Sequence, residues 1–430
     1  MKSLFTYLEN NRNQALIIMV LITLVLRALF TIIVYSKTGT SNWSDDLYYL
    51  FAGEHIAMGN WSPEWPGRPE LVVGPTLPIL VAFFIKLFND PVIPFFAYNI
   101  LVTSLMVPVL YYLGKELFNK NTGWVLAIWG IFFIEAFKYS PHILKEATLF
   151  LFVPLTLLLL IRSIKAENPL RNIIYASLSF AWLIHTDERF FAYFPVFIIL
   201  FLFIKPFQFQ KLAKSASLWL ILGLLLMLPW GIRNYKVFDQ LVILTPRTTA
   251  ITAKFWGENL EAAASHFTND EVRKRMNEAR YESAIEFGEK FGKTPHEYSL
   301  WEARIKAFQH FWQPTFANLH FIQYGFRTQK WSFRHNALSL IFYGIFLPFY
   351  IIGFYFLVKR KYWLGLFMAL IPVIHSLMHA YMVWPLERYR SPVTFIVVMV
   401  GIWTAIEIVY WARRKWEGKM EEGENEGVIE

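Results

Sequence analysis

Apolar residues run through this chain in long blocks, not in the short alternations of a soluble fold. Blocks at Ala15–Tyr35, Val92–Leu113, Thr122–Phe137, His142–Ile161, Asn172–His185, Phe190–Ile204, Leu218–Trp230, Ala337–Leu357, Tyr362–Met382 and Val393–Trp411 each approach the ~20 residues a helix needs to cross a bilayer. They predict an all-α polytopic membrane protein with about ten transmembrane helices. Gly74–Phe88 is apolar too, but it is short for a span and opens Gly-Pro with a second proline at Pro78, so it reads as an interfacial or re-entrant helix.

Charge supports that distinction. Basic residues gather in alternate loops: Lys2/Arg12, Lys115/Lys120, Arg162/Lys165/Arg171, Lys205/Lys211/Lys214, Lys359/Arg360/Lys361 and Arg413/Arg414/Lys415. Such clusters mark the cytoplasmic side. Had Gly74–Phe88 crossed, the later basic loops would fall outside. The topology therefore puts both termini in the cytoplasm of what reads as a prokaryotic plasma membrane. It divides the chain into an N-terminal transmembrane module (1–233) with an external first loop (36–91), an external helical region (234–335), C-terminal transmembrane helices (336–412) and a disordered cytoplasmic tail (413–430). In the external region, Val272, Met276, Ala279, Ala284 and Phe287 recur at helical spacing and predict an amphipathic helix over Asn269–Gly288. A second helix is expected over Tyr298–Phe311.

Composition narrows the function classes. Only 17% of the 430 residues are charged, against about 25% in soluble chains. There is no cysteine, so disulfide and thiolate chemistry are excluded. The net charge of +9 lies largely in the short loops and states topology, not an affinity for nucleic acid. No internal repeat and no Gly-rich phosphate loop is visible.

The expected topology lines one rim with ionisable groups. The first external loop gives Asp45 and Asp46, with Tyr48 beside them. The next outer turns give Glu135, Lys138, His142, Lys145 and Glu146, then His185, Asp187, Glu188 and Arg189. Arg233 opens the long loop, and Glu387, Arg388 and Arg390 form the last turn. Ionisable groups at a membrane edge usually face a cavity or a partner, and arginine suits phosphate through its planar fork. Each group also has a plain structural reading. Asp45-Asp46 can be a solvated turn or a helix cap, Arg388 and Arg390 interfacial anchors, and His185–Arg189 an internally paired string. His375 and His379 share a helix face and are two metal-type ligands without an evident third. Arg27 sits inside the first apolar block, where it either snorkels to the interface or points into a polar cavity.

Taken in order, these residues resemble the GT-C membrane glycosyltransferases. The nearest group is the dolichyl-phosphate-mannose protein mannosyltransferases and the bacterial aminoarabinose transferases. Asp45-Asp46 followed by Tyr48-Tyr49 and Ala52 matches the acidic pair of their first external loop. Gly74-Pro75 through Lys86-Leu87-Phe88 matches the interfacial helix after it. Pro229, Trp230, Arg233, Asn234 and Tyr235, then Val237-Phe238, match the string opening the long loop. Arg388, Tyr389, Arg390 and Pro392 match a motif near the C-terminus. The resemblance spans about residues 12–412. Two departures stand out: many members have Asp-Glu at the acidic pair, and Thr186-Asp187-Glu188-Arg189 replaces the usual Thr-Arg-Pro.

The resemblance implies transfer of a sugar from a polyprenyl-phosphate donor at the external face, by single displacement with inversion. It makes Asp45 the base and Asp46 its partner, with Arg390, Arg388, Arg189, Arg233 and Lys145 on the donor phosphate. Arg27, Tyr48, Glu146, His185, His379 and Glu387 are candidates to line the acceptor side or cavity. The partners are then the lipid-linked donor, membrane lipids and a protein, lipid or glycan acceptor. The acidic pair also suits a divalent cation. Rival readings are a lipid-linked glycan polymerase or ligase, a transporter or flippase, and a non-catalytic scaffold of the same fold.

Overall fold

The computed structural model describes residues 2–39, 44–61, 74–203, 209–238, 242–245, 304–305, 308–309, 311–314, 337–381 and 389–426. The two helices expected over Asn269–Gly288 and Tyr298–Phe311 lie outside or almost outside these residues. Every regular element among the described residues is helical.

A short helix α1 (Lys2–Asn10) precedes α2 (Arg12–Thr38). The first loop holds α3 (Ser44–Ala57) and α4 (Thr76–Phe88). Then come α5 (Val92–Leu117), α6 (Lys120–Ile131), the six-residue α7 (Ile134–Tyr139), α8 (Glu146–Lys165) and α9 (Leu170–Thr186). A 3-10 turn at Glu188–Ala192 leads into α10 (Tyr193–Leu200), followed by α11 (Phe209–Phe238). After the long loop, a π-helical turn at Leu340–Gly344 runs into α12 (Phe346–Lys359), and α13 (Trp363–Tyr381) and α14 (Thr394–Glu426) complete the chain.

Seven helices among the described residues are long and apolar enough to cross a membrane: Arg12–Lys37, Val92–Leu117, Glu146–Lys165, Phe209–Lys236, Ala337–Lys359, Trp363–Ala380 and Ser391–Arg413. They coincide with seven of the ten apolar blocks. The other three blocks form shorter helices. The block Thr122–Phe137 breaks after Ile131, the block Asn172–His185 forms the 17-residue α9, and Phe190–Ile204 mixes α and 3-10 turns. The interfacial reading of Gly74–Phe88 gives α4, only 13 residues long. The tail is a correction to expectation: helix α14 runs on through it to Glu426. Arg, Lys, Glu and Met are strong helix formers, and a span already formed removes the nucleation cost of extending it.

Helix α5 is central. It packs on α2, α6 and α8; α8 packs on α9, and α9 on α11. Helices α12 and α14 pack together, with α13 against both and α14 reaching α6. In the first loop α3 lies along α4, which touches α5 and α9. The aliphatic residues left outside, such as Ile18, Leu21, Val25 and Ile32 on α2 or Leu224, Leu225 and Leu228 on α11, suit lipid contact.

The bundle has two polar ends. At one, Lys115 pairs with Glu9 at 2.5 Å, Arg162 and Lys165 each reach Glu116 at 3.4 Å, and Arg360 pairs with Glu407 at 2.5 Å. These are residues of the basic loops. The other end, where α8 begins and α9 stops, carries the buried ionisable residues taken up next.

Candidate active site

The segment between α6 and α8 is the hub of this end. After Ile131 the backbone leaves helical geometry at Phe133 (φ −59, ψ 108) and re-enters it in α7. The segment is pinned from inside the bundle. Asn99 of α5, fully buried, donates from Nδ2 to the carbonyls of His142 (2.6 Å), Ser140 (3.3 Å) and Tyr139 (3.4 Å). A non-helical stretch exposes carbonyls, and a buried amide that captures them removes the cost of leaving them unpaired.

Three arms reach this segment. The first is the acidic pair. Asp46 lies within the first turn of α3, so it is not the helix cap weighed from sequence. A carboxylate there faces the positive end of the helix dipole. It is buried, and its Oδ2 lies 3.6 Å from His142 Nδ1. Neither carboxylate oxygen has a hydrogen-bond partner among the described residues. The side chain of Asp45 lies outside the described residues, although its backbone belongs to α3. Tyr48 and Tyr49 follow, buried and edge-to-face at 6.2 Å.

The second arm starts just beyond α9. Asp187 is fully buried and receives Lys145 Nζ at 3.1 Å and the fork of Arg189. Burial by itself pushes the Asp187 carboxyl up, but Arg189 and Lys145 outweigh it and hold the group well below the usual carboxylate range. The Arg189 guanidinium stacks over the Tyr389 ring, 4.0 Å from its centre, and Nη1 lies 3.3 Å from His379 Nε2. The tautomers follow from the partners. His379 Nδ1 faces the His375 carbonyl at 2.9 Å, so it carries the proton and Nε2 accepts from Arg189. His375 Nε2 donates to the Tyr389 carbonyl at 2.7 Å, which leaves Nδ1 to accept from the Tyr193 hydroxyl. Both imidazoles therefore have protein partners on both ring nitrogens. Lys145 and Arg189 face two carboxylates here, Asp187 and the buried Glu188 within electrostatic reach of Arg189, so the arm is formally charge-balanced.

The third arm is Arg390. It is fully buried, donates to the carbonyls of Phe311 (2.8 Å) and Gln313 (2.6 Å), and lies over the Tyr343 ring at 4.0 Å. Tyr343 belongs to the π-helical turn, a feature frequent at functional sites. Glu135 of α7 is buried within electrostatic reach of Arg390 and Lys138. Burial raises its carboxyl to about 7, against the opposing pull of Arg390 and Lys138. Glu146, at the start of α8, is buried on the same segment.

Other expected site residues stand apart from this convergence. Arg233 donates to the Trp61 carbonyl (2.5 Å) and to Asn234 Oδ1 (2.8 Å), which ties the end of α11 to the end of the α3 hairpin. His185 Nε2 faces the Leu226 carbonyl at 3.2 Å. Arg27 is buried deep between α2 and the α6–α7 break, and so does not snorkel. Arg388 and Glu387 lie outside the described residues. Among the described residues no group of three His, Asp or Glu comes together as a metal set. Asn99 is new relative to the expected rim, and so is the pairing of Asp46 with His142. Asn99 had a signal, a lone amide in an apolar helix. The His142 contact had none, because it depends on where the hub folds.

Residues 72–232 match the family described as dolichyl-phosphate-mannose-protein mannosyltransferase. That range holds His142, Lys145, Asp187 and Arg189, and ends before Arg233; Asp45, Asp46 and Arg390 lie beyond it. A comparison with curated proteins finds no sequence match. Among solved structures, the Archaeoglobus fulgidus oligosaccharyltransferase in its apo form is similar at 14% identity and TM-score 0.56, over 94% of this chain and 52% of that one. The archaeal oligosaccharyltransferase AglB from the same organism, in complex with an inhibitory peptide and a dolichol-phosphate, is similar at 14% identity and TM-score 0.55, over 94% and 52%. At that identity the likeness is one of fold, and this chain spans about half the length of the structures it matches. In sequence pattern over residues 72–232 and in fold over nearly its whole length, the chain resembles the GT-C membrane glycosyltransferases.

Proposed function

We propose that this multi-pass membrane protein is a glycosyltransferase that moves a sugar from a polyprenyl-phosphate donor to an acceptor at the external membrane face. The observation that carries the proposal is the convergence on residues 132–146 of a buried carboxylate, without a hydrogen bond among the described residues, and a buried pair of cations. Asp46 reaches this segment through His142, and the Asp187–Arg189 pair reaches it through Lys145. Displacement at an anomeric carbon needs that combination: a base for the acceptor hydroxyl and cations for the departing phosphate. The family match supports glycosyl transfer from a lipid-linked donor in general.

In this reading Asp45 takes the proton from the acceptor hydroxyl. Asp46 orients the base or binds the acceptor, with His142 against its Oδ2. The acceptor oxygen attacks the anomeric carbon, and the bond to the phosphate oxygen breaks on the opposite side. The sugar inverts, and polyprenyl phosphate leaves with the bonding pair. Lys145 and Arg189 face the phosphate, and Asp187 keeps their heads together. Arg390 acts at a remove, because its described bonds hold the 311–313 segment and the π turn. A divalent cation would be held at the Asp45–Asp46 pair, where it would supply positive charge beside the donor; sensitivity of the transfer to chelators decides its use.

The test is mass spectrometry of lipid that co-purifies with the protein. A polyprenyl-phosphate species with its sugar supports the proposal and identifies the donor. Bulk phospholipid alone, from membranes containing such donors, counts against it.

A further inference from the structure

Arg27 lies midway along α2, and its neighbours on the lipid side are aliphatic and exposed. Its own side chain is fully buried, as are those of Thr23 and Thr31, four residues to either side. The three make a polar stripe on one face of the helix. The Thr23 hydroxyl returns to the Met19 carbonyl at 2.6 Å. Arg27 instead reaches out of its helix: Nη2 donates to the Gly130 carbonyl at 2.8 Å, and the guanidinium lies 5.6 Å from the centre of the Phe137 ring. Phe30, on the same helix, meets that ring edge-on at 5.6 Å.

Those two targets bracket the break between α6 and α7. Gly130 is in the last turn of α6, and Phe137 is in α7. Where a helix stops, its last carbonyls lose their intrahelical donors. Gly130 lies buried in the bundle, where water does not replace them. The Gly130 carbonyl keeps only a long backbone bond, from Phe133 N at 3.5 Å, and a contact from the Phe132 N–H; a cation at the negative end of the helix dipole adds a shorter donor and is favoured there. Arg27 Nε and Nη1 have no hydrogen-bond partner among the described residues, so its burial is not repaid by an ion pair of its own. The described contacts of this guanidinium all serve the break.

We infer that Arg27 is a positioning residue: by holding the end of α6 to α2, it sets the height at which the 132–145 segment presents His142 to Asp46. The role in transfer rests on the proposed function; the positioning itself does not. Lys145 is held from the far side by Asp187, so the cationic arm keeps its place when Arg27 is lost.

The chain has no cysteine, which permits a test independent of activity. Asp46→Cys with His142→Cys should form a disulfide crosslink under mild oxidation in the full-length protein. Adding Arg27→Met should lower the crosslink yield about tenfold, and Arg27→Lys, which keeps a donor for the same carbonyl, should restore it. If Arg27→Met does not accumulate, Arg27→Gln, too short to reach Gly130, should lose the crosslink equally. With the native site residues, Arg27→Met should lower kcat by about tenfold or more, as expected for sub-ångström misplacement of reacting groups, with donor KM within about threefold. Equal crosslinking with and without Arg27, or no crosslink in any background, overturns the inference. Arg27-dependent crosslinking without sugar transfer in any variant upholds the positioning and overturns the proposed function instead.

Discussion

Glu135 is a carboxyl that burial makes hard to ionise. Its carboxyl is raised to about 7 by burial, so the folded protein binds this proton more tightly than the unfolded chain. The resulting stability is fully present below the ordinary carboxyl pKa and is lost as pH rises from about 4.5 through 7. Thermal melts of the detergent-solubilised protein across that window should show a decline that Glu135→Gln flattens. An identical slope in the two proteins would contradict the assignment. Residue types at this rim were legible in the sequence, because charges next to apolar blocks stand out. Their pairing was only half legible. The string from His185 to Arg189 offered internal pairing, and Arg189 does fork onto Asp187. But Lys145, more than forty positions away, joins the same carboxylate, and no local spacing announces that. Arg390 reads from its short motif as a phosphate ligand or an interfacial anchor, while its described bonds go to loop carbonyls.

At the scale of elements, the first loop docks through backbone. Gly74 opens the turn into α4, and a Cβ there would stand 2.0 Å from the His185 carbonyl oxygen. Both partners are backbone, so neither yields by rotating a side chain. Gly74→Ala should destabilise the protein by about 1–3 kcal/mol, the range for overpacking, and lower its melting temperature. A neutral Gly74→Ala would remove α4 from its place beside α9. The seven long spans were legible because length and hydropathy suffice to specify them. The break within Thr122–Phe137 was not legible, because apolar content does not reveal it: Ile131–Ile134 is continuous apolar sequence that nonetheless leaves helical geometry at Phe133. The reason is tertiary. Arg27 and Asn99 supply donors to carbonyls on either side of the break. The π turn at Leu340–Gly344 has a similar support, with Trp129 Nε1 donating to the Phe342 carbonyl at 2.8 Å.

At the scale of the whole molecule, the parallel α5 and α8 separate two ends with different work. The basic loops gather where α5 and α8 stop, paired with Glu9 and Glu116. The hub gathers where α8 begins. This polarity was legible as charge parity along the sequence, and it is why the rim residues were sought on one side. The account makes that hub a place where a hydroxyl is deprotonated beside a lipid phosphate. The most direct test is sugar transfer in vesicles containing the polyprenyl-phosphate donor, comparing the native chain with Asp45→Asn at matched expression. The account predicts a loss of about 10²–10⁴-fold in rate, the usual weight of a general base, with donor binding retained. Undiminished transfer by Asp45→Asn would contradict it.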